Sequence, residues 1–414
     1  MSESVFFFLT LAAGFYMAWS IGANDVANAM GTSVGSRALT LRQAVIIAAI
    51  LEFSGAFFFG SHVTETVQTG IINPDFFKYN PMAFAYGMLS ALIAVGLWLQ
   101  LATWFGWPVS TTHAIVGALV GFGATMGGIE GVYWSHVAYI VTSWAISPIM
   151  GGVLSFLLFM LLRRAVFNRP KPLEAAKKIM PFLVFAVTVT LVLLLLFNGL
   201  QNVDLDFSLT QTLLIAIGLG FLSAAICQKM VLNISHPKNP DSITEEFNQI
   251  EKMFSYLQII SACLMAFAHG ANDVANAIGP LSAAIQVSQH QAISAVTVVP
   301  IWALALGGIG IVVGLATWGW RVIETIGRKL TELTPTRGFS AEFGAALTIL
   351  SASRLGLPIS TTHTLVGAVV GVGLARGLGA LNLAVMRDIF ISWIITVPAG
   401  AILTVAIFWL FTLL

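Results

Sequence analysis

Apolar residues in this chain fall into runs of about 20 separated by short polar breaks, the length of helix needed to cross a hydrocarbon layer of ~30 Å. Reading the runs between breaks predicts helices at 5–22, 43–69, 82–104, 108–125, 135–162 and 180–198. Six more are predicted at 209–232, 255–271, 291–317, 340–354, 358–375 and 387–412. The fourth and eleventh runs are short enough to be re-entrant. The expected fold is therefore an all-α polytopic membrane protein with about 12 transmembrane or re-entrant segments.

Composition supports this reading. Of the 414 residues, 57% are hydrophobic and 9% charged, where a soluble domain carries about a quarter charged. Cys227 and Cys263 each sit inside an apolar run and read as small hydrophobes, not as a disulfide or metal pair. The stretch from Ser4 to Ala18 has no basic flank and runs into a polar motif, so it is expected to be a retained helix and not a cleaved leader. A net charge of +1 gives no sign of nucleic-acid binding. If every run crosses and the N-terminus is outside, all the lysines and arginines except Lys78 and Arg354 fall in cytoplasmic loops. That asymmetry satisfies the positive-inside rule and puts both termini outside a cell (inner or plasma) membrane.

The chain repeats itself. Gly22-Ala23-Asn24-Asp25-Val26-Ala27-Asn28-Ala29 recurs verbatim as Gly270-Ala271-Asn272-Asp273-Val274-Ala275-Asn276-Ala277. At nearly the same offset, Pro108-Val109-Ser110-Thr111-Thr112-His113 recurs as Pro358-Ile359-Ser360-Thr361-Thr362-His363, and Ser143-Trp144 recurs as Ser392-Trp393. The predicted crossing order makes the two copies run in opposite directions. We therefore expect two inverted-topology repeats, 1–162 and 253–414, joined by a connecting region at 163–252 with two helices and cytoplasmic loops. Part of that connection, Asn233 to Lys252, reads as a loop from its charges and from Pro237 and Pro240. Inverted repeats of this kind build secondary transporters, with substrate held near the midplane.

Asp25 and Asp273 lie at the ends of the predicted apolar helices, where an ionised carboxylate costs several kcal/mol without compensation. No basic residue is near them in sequence. Asn24, Asn28, Asn272 and Asn276 offer carbonyl oxygens of the hard type sodium prefers. Gly22 and Gly270 would let the helix unwind and expose more. Each block thus reads as half of a cation site, against the plainer reading of small and amide residues as helix-packing glue.

Pro-Val/Ile-Ser-Thr-Thr-His looks like a helix start, with proline in the first turn and Ser110, Thr111, Thr112, Ser360, Thr361 and Thr362 at the N-terminus. The dipole and free N–H groups there would hold a tetrahedral oxyanion, although plain N-capping uses the same hydroxyls. His113 and His363 would add donors or simply pack. Glu52 and Glu342, within apolar runs, are candidate cation ligands or proton acceptors. Glu65 and Glu324 read as interfacial.

On these duplicated blocks, the chain resembles the inorganic phosphate transporter (PiT) family over nearly its whole length. The resemblance implies symport of inorganic phosphate with sodium or protons by alternating access. Asp25 and Asp273 match the signature acids, and Glu52 and Glu342 match glutamates of the sodium-coupled branch. Met88 stands where some relatives carry a glutamate, which leaves stoichiometry open. The expected partners are inorganic phosphate, sodium (or protons), the bilayer and a second copy of the chain in a homodimer. No cofactor is expected, sodium being a co-transported substrate. Other readings are a proton-coupled symporter, a sulfate permease, a passive anion channel and an intramembrane hydrolase. The hydrolase fits poorly, because equivalent groups are spread over two symmetric copies when a single activated nucleophile is needed.

Overall fold

The computed structural model describes residues 2–61, 63–64, 70–198, 208–232, 243–290, 293, 299–325, 327 and 330–413. Among these, α-helices account for almost all regular structure, and a lone bridge pairs Ile72 with Val132. In chain order the helices are α1 (Glu3–Gly35), α2 (Leu41–Phe59), α3 (Pro81–Phe105), α4 (Thr111–Gly127), α5 (Trp134–Leu162), α6 (Pro172–Asn198) and α7 (Leu209–Leu232). They continue with α8 (Ile243–His290), α9 (Ile301–Trp318), α10 (Trp320–Glu324), α11 (Pro335–Arg354), α12 (Thr361–Arg376) and α13 (Leu383–Thr412). Ten of the described helices are long and apolar enough to cross a membrane, and every predicted run contains a helix.

Several boundaries differ from expectation. α1 and α8 run straight through their polar blocks, so Asp25 and Asp273 lie inside helices and not at their ends. α8 starts at Ile243, which makes the second half of the expected loop at 233–252 helical; 233–242 lie outside the described residues. α2 ends at Phe59 and α9 begins at Ile301, inside the runs assigned to them, with 65–69 and 294–298 outside the described residues.

The motif glycines do not unwind their helices; they let helices touch. A methyl group on Gly22 would lie 1.9 Å from the Ile311 carbonyl oxygen, and one on Gly314 would lie 1.9 Å from that of Trp19, so α1 and α9 meet through reciprocal glycines. α8 meets α2 in the same way, Gly270 against the Glu52 carbonyl and Gly55 against that of Phe267, each at 2.1 Å. Likewise α4 meets α13 through Gly117 and Gly400, and α12 meets α5 through Gly367 and Gly151. In lipid, where apolar surface gains nothing by leaving the solvent, such close backbone contact is what holds helices together.

Two helix pairs set up the centre. α3 and α4 are joined across Gly106, and α11 and α12 across Gly356. Both glycines adopt left-handed backbone, with φ of 68° and 66°, which a residue with a Cβ adopts only with strain. The first turns of α4 and α12 are therefore buried in the protein. The α6–α7 pair packs to one side, with the start of α8 and the end of α5, in a separate apolar cluster around Val187, Phe254 and Phe339.

Candidate ion and anion site

The tips of the two helix pairs meet. The Thr112 hydroxyl donates to the Ile359 carbonyl (3.0 Å), and the Thr362 hydroxyl reaches the Val109 carbonyl (3.1 Å). Ser110 is the N-cap of α4 and its hydroxyl accepts from the His113 N–H; Ser360 does the same for His363. Pro108 and Pro358 thus precede the cap and do not occupy the first turn. Helix geometry leaves the first N–H groups without intrahelical partners. With the third taken by the serine, the amides of Thr111, Thr112, Thr361 and Thr362 are left to a ligand. Both helix dipoles put their positive ends at this point.

The duplicated acids lie against these ends. The Thr111 hydroxyl donates to Asp25, and Thr361 donates to Asp273 at 2.7 Å. Thr362 also reaches Asp25 Oδ1 at 3.1 Å. Asn28 donates from its amide nitrogen to Asp25 (3.0 Å) and Thr362 (2.8 Å), while Asn276 donates to Thr112 (3.3 Å). The amide oxygens of Asn28 and Asn276 are buried without a partner. All the duplicated hydroxyl, amide and carboxylate side chains here are no more than 2% exposed. Among the described residues no lysine or arginine pairs with either acid.

Asn24 and Asn272 serve differently from what the sequence suggested. Asn24 donates to Thr103 and the Trp107 carbonyl, and its oxygen accepts from the Val109 N–H. Asn272 donates to Asp273 and the Ile359 carbonyl, and its oxygen accepts from Ser353. With both ends engaged, they pin the tips in place and do not offer free oxygens.

The two glutamates lie apart from each other. Glu342 receives hydrogen bonds from Thr32, from Ser33 (2.6 Å) and from Ser261 (2.6 Å). Glu52 faces His269, whose Nδ1 lies 3.3 Å from Glu52 Oε1 and whose Nε2 lies 3.0 Å from Asp273 Oδ2. A neutral imidazole donates from one nitrogen only, so one of these contacts needs a proton or a cation to be favourable. Ligand atoms of Asp25, His269 and Asp273 all lie within 4.8 Å of one another.

His269 was missed in the sequence, although a signal existed. It stands where the first copy has Ile21, and it lies four residues before Asp273, on the same helix face. His113 and His363 pack behind the tips, their rings 4.1 Å apart, His113 tilted against Trp144 and His363 stacked on Trp393. Met88 is fully buried in α3. Glu65 lies outside the described residues, as do the side chains of Glu324 and Arg354.

The profile of the phosphate transporter family matches residues 21–404. The chain is 49% identical to "Inorganic phosphate transporter 2-1, chloroplastic" of Arabidopsis thaliana, over 98% of this chain and 72% of that protein. It is 46% identical to a putative phosphate permease of Pyrococcus abyssi, over 97% and 96%. A solved structure described as the sodium-dependent phosphate transporter superposes with a TM-score of 0.90 at 42% identity, covering 99% of this chain and all of the other. The chain belongs to the phosphate transporter family and is a membrane transporter, not an enzyme.

Proposed function

We propose that this protein imports inorganic phosphate coupled to sodium, by alternating access between two inverted halves. The observation that carries the proposal is the pairing of Thr111 with Asp25 and Thr361 with Asp273 at two opposed helix N-termini. An oxyanion could not settle on those N–H groups and hydroxyls beside two bare carboxylates, because like charges at this depth repel strongly. A cation must therefore come first. Asp25 with the free oxygen of Asn28, and Asp273 with that of Asn276, supply two equivalent sets of hard oxygen ligands. Sodium there neutralises the acids and releases the threonine hydroxyls. Phosphate then binds the amides of Thr111, Thr112, Thr361 and Thr362, with the hydroxyls of Ser110 and Ser360 alongside. Glu52 and Glu342 hold further cation positions or protons in the same core. The sodium dependence stated for the similar solved structure supports this choice of ion.

The test is labelled phosphate uptake into proteoliposomes under an inward sodium gradient, with a proton gradient and excess sulfate as separate arms. Uptake that follows sodium and resists sulfate supports the proposal. Uptake that ignores sodium overturns the coupling, and block by sulfate reassigns the substrate. His269, between two carboxylates, is the observation that favours a proton-coupled reading, and the proton arm decides it.

A further inference from the structure

About 22 Å along α12 from the central tip, by its rise per residue, the far ends of α11 and α12 form a second site of a different kind. A cavity of about 450 Å³ is lined there by Arg163, Arg337 and Arg376, with Glu251, Thr334 and a wall of Phe159, Phe167 and Phe247. Arg163 extends from the end of α5, Arg337 from the first turn of α11, and Arg376 from the last turn of α12.

The acids present do not balance these cations. Glu251 is engaged at the start of α11, where it accepts from the Thr336 N–H at 2.9 Å and from its hydroxyl at 3.0 Å. Arg163 donates to the Ala375 carbonyl and pairs with no carboxylate among the described residues. Arg337 and Arg376 both turn to one carboxylate oxygen of Glu332, each at 3.4 Å, and to its backbone carbonyl. The two arginine side chains are 22% exposed, but that of Glu332 is 79% exposed. A solvated, long ion pair of this kind contributes only about 0–1 kcal/mol, so Glu332 swings away at little cost and leaves two converged guanidinium groups. Thr334, the N-cap of α11, makes no capping bond, and its hydroxyl oxygen is buried and unpartnered.

The fold does not require this cluster. The corresponding end of the α3–α4 pair is capped by Asn80, which accepts from the Ala83 N–H, and its nearby cation Lys78 is paired with Asp75 at 2.9 Å. The arginines are thus an addition to one half only.

We infer that Arg163, Arg337 and Arg376, with the Thr334 hydroxyl, form a peripheral binding site for a phosphoryl oxyanion, separate from the transport site. Guanidinium forks match the oxygens of such a group, and the phenylalanine wall limits screening of the pairs they make. A ligand here ties α11, α12 and α5 together at the end of the element that carries Thr361 and Thr362 at its other end. The same chemistry is offered by free phosphate and by the headgroup of an anionic phospholipid.

The probe is inorganic phosphate, titrated by calorimetry into the full-length detergent-purified protein in sodium-free potassium buffer. Native mass spectrometry of the same preparations reports phospholipid carried through purification. The structure predicts sodium-independent phosphate binding that weakens at least about tenfold in the Arg337→Gln, Arg376→Gln double variant. Arg337→Lys with Arg376→Lys, which keeps the charge but not the fork, should recover part of the affinity and shows that the pocket is still folded. Phospholipid held by the wild type and lost from the glutamine variant would support the site and name the lipid as its ligand. Phosphate affinity that is equal in wild type and glutamine variant overturns the inference. So does the absence of sodium-free phosphate binding together with equal lipid retention.

Discussion

Asp273 stands between the Thr361 hydroxyl on one side and His269 on the other, and Asp25 between Thr111 and Asn28. Removing one charge while keeping the shape tests whether these acids hold the coupling ion. Asp273→Asn should remain folded and monodisperse yet take up phosphate no faster than empty vesicles; uptake near the wild-type rate would remove the proposed role. Asn276→Ala deletes one oxygen ligand of the proposed cation. The loss of one bond to a charged partner should raise the half-saturating sodium concentration roughly tenfold, read from uptake rates across a sodium series at fixed phosphate. An unchanged sodium curve would move the cation away from Asn276.

At the scale of elements, each half-site depends on a helix cap and a glycine contact. Ser360 closes the first turn of α12 by accepting from the His363 N–H, so Ser360→Ala should cost about 1 kcal/mol of stability. It should also weaken phosphate affinity, because the tip that presents the Thr361 and Thr362 amides loosens. The contact of α1 with α9 is stricter. A side chain on Gly22 meets backbone, which cannot rotate aside. Gly22→Ala should therefore lower the thermal transition in detergent, as overpacking of about 1–3 kcal/mol does, whereas Gly218→Ala in α7, with nothing within 4 Å of the added methyl, should leave it in place or raise it. Equal transitions in the two variants would contradict the packing described.

For the whole molecule, charge distribution and expected orientation are linked. The basic residues that the expected topology places inside also supply the arginine pocket at the ends of α5, α11 and α12. In a background with Cys227→Ala and Cys263→Ala, a membrane-impermeant maleimide should label Lys78→Cys in intact cells, and Lys178→Cys only after permeabilisation. The opposite pattern would invert the proposed topology. Crossed packing, α1 on α9 and α8 on α2, joins helices from the first and last parts of the chain. Under the proposed alternating access, these glycine seams would have to slide or rock together.

The number and placement of helices were legible because lipid imposes one rule on every segment: about 20 apolar residues with all backbone groups satisfied internally. The α7 run, 209–232, agrees with its helix at both ends. The verbatim blocks likewise pointed to Asp25, Asp273 and the Ser-Thr-Thr tips before any fold was known. Helix ends at the polar blocks were not legible, because Gly22 and Gly270 signal either unwinding or close packing, and only the neighbouring Ile311 and Glu52 carbonyls decide between them. The separate duties of Asn24 and Asn28 were hidden for a related reason. Identical residues four apart differ only in what stands opposite, here the Val109 amide for one and Thr362 for the other. Sequence alone determined that this is a membrane protein with duplicated acids and helix starts, because periodicity and repetition are local properties of the chain. That the acid of the first block meets the helix starts of both, that His269 joins Glu52 to Asp273, and that three distant arginines share one cavity were decided by tertiary structure, since those contacts join residues as far as 337 positions apart.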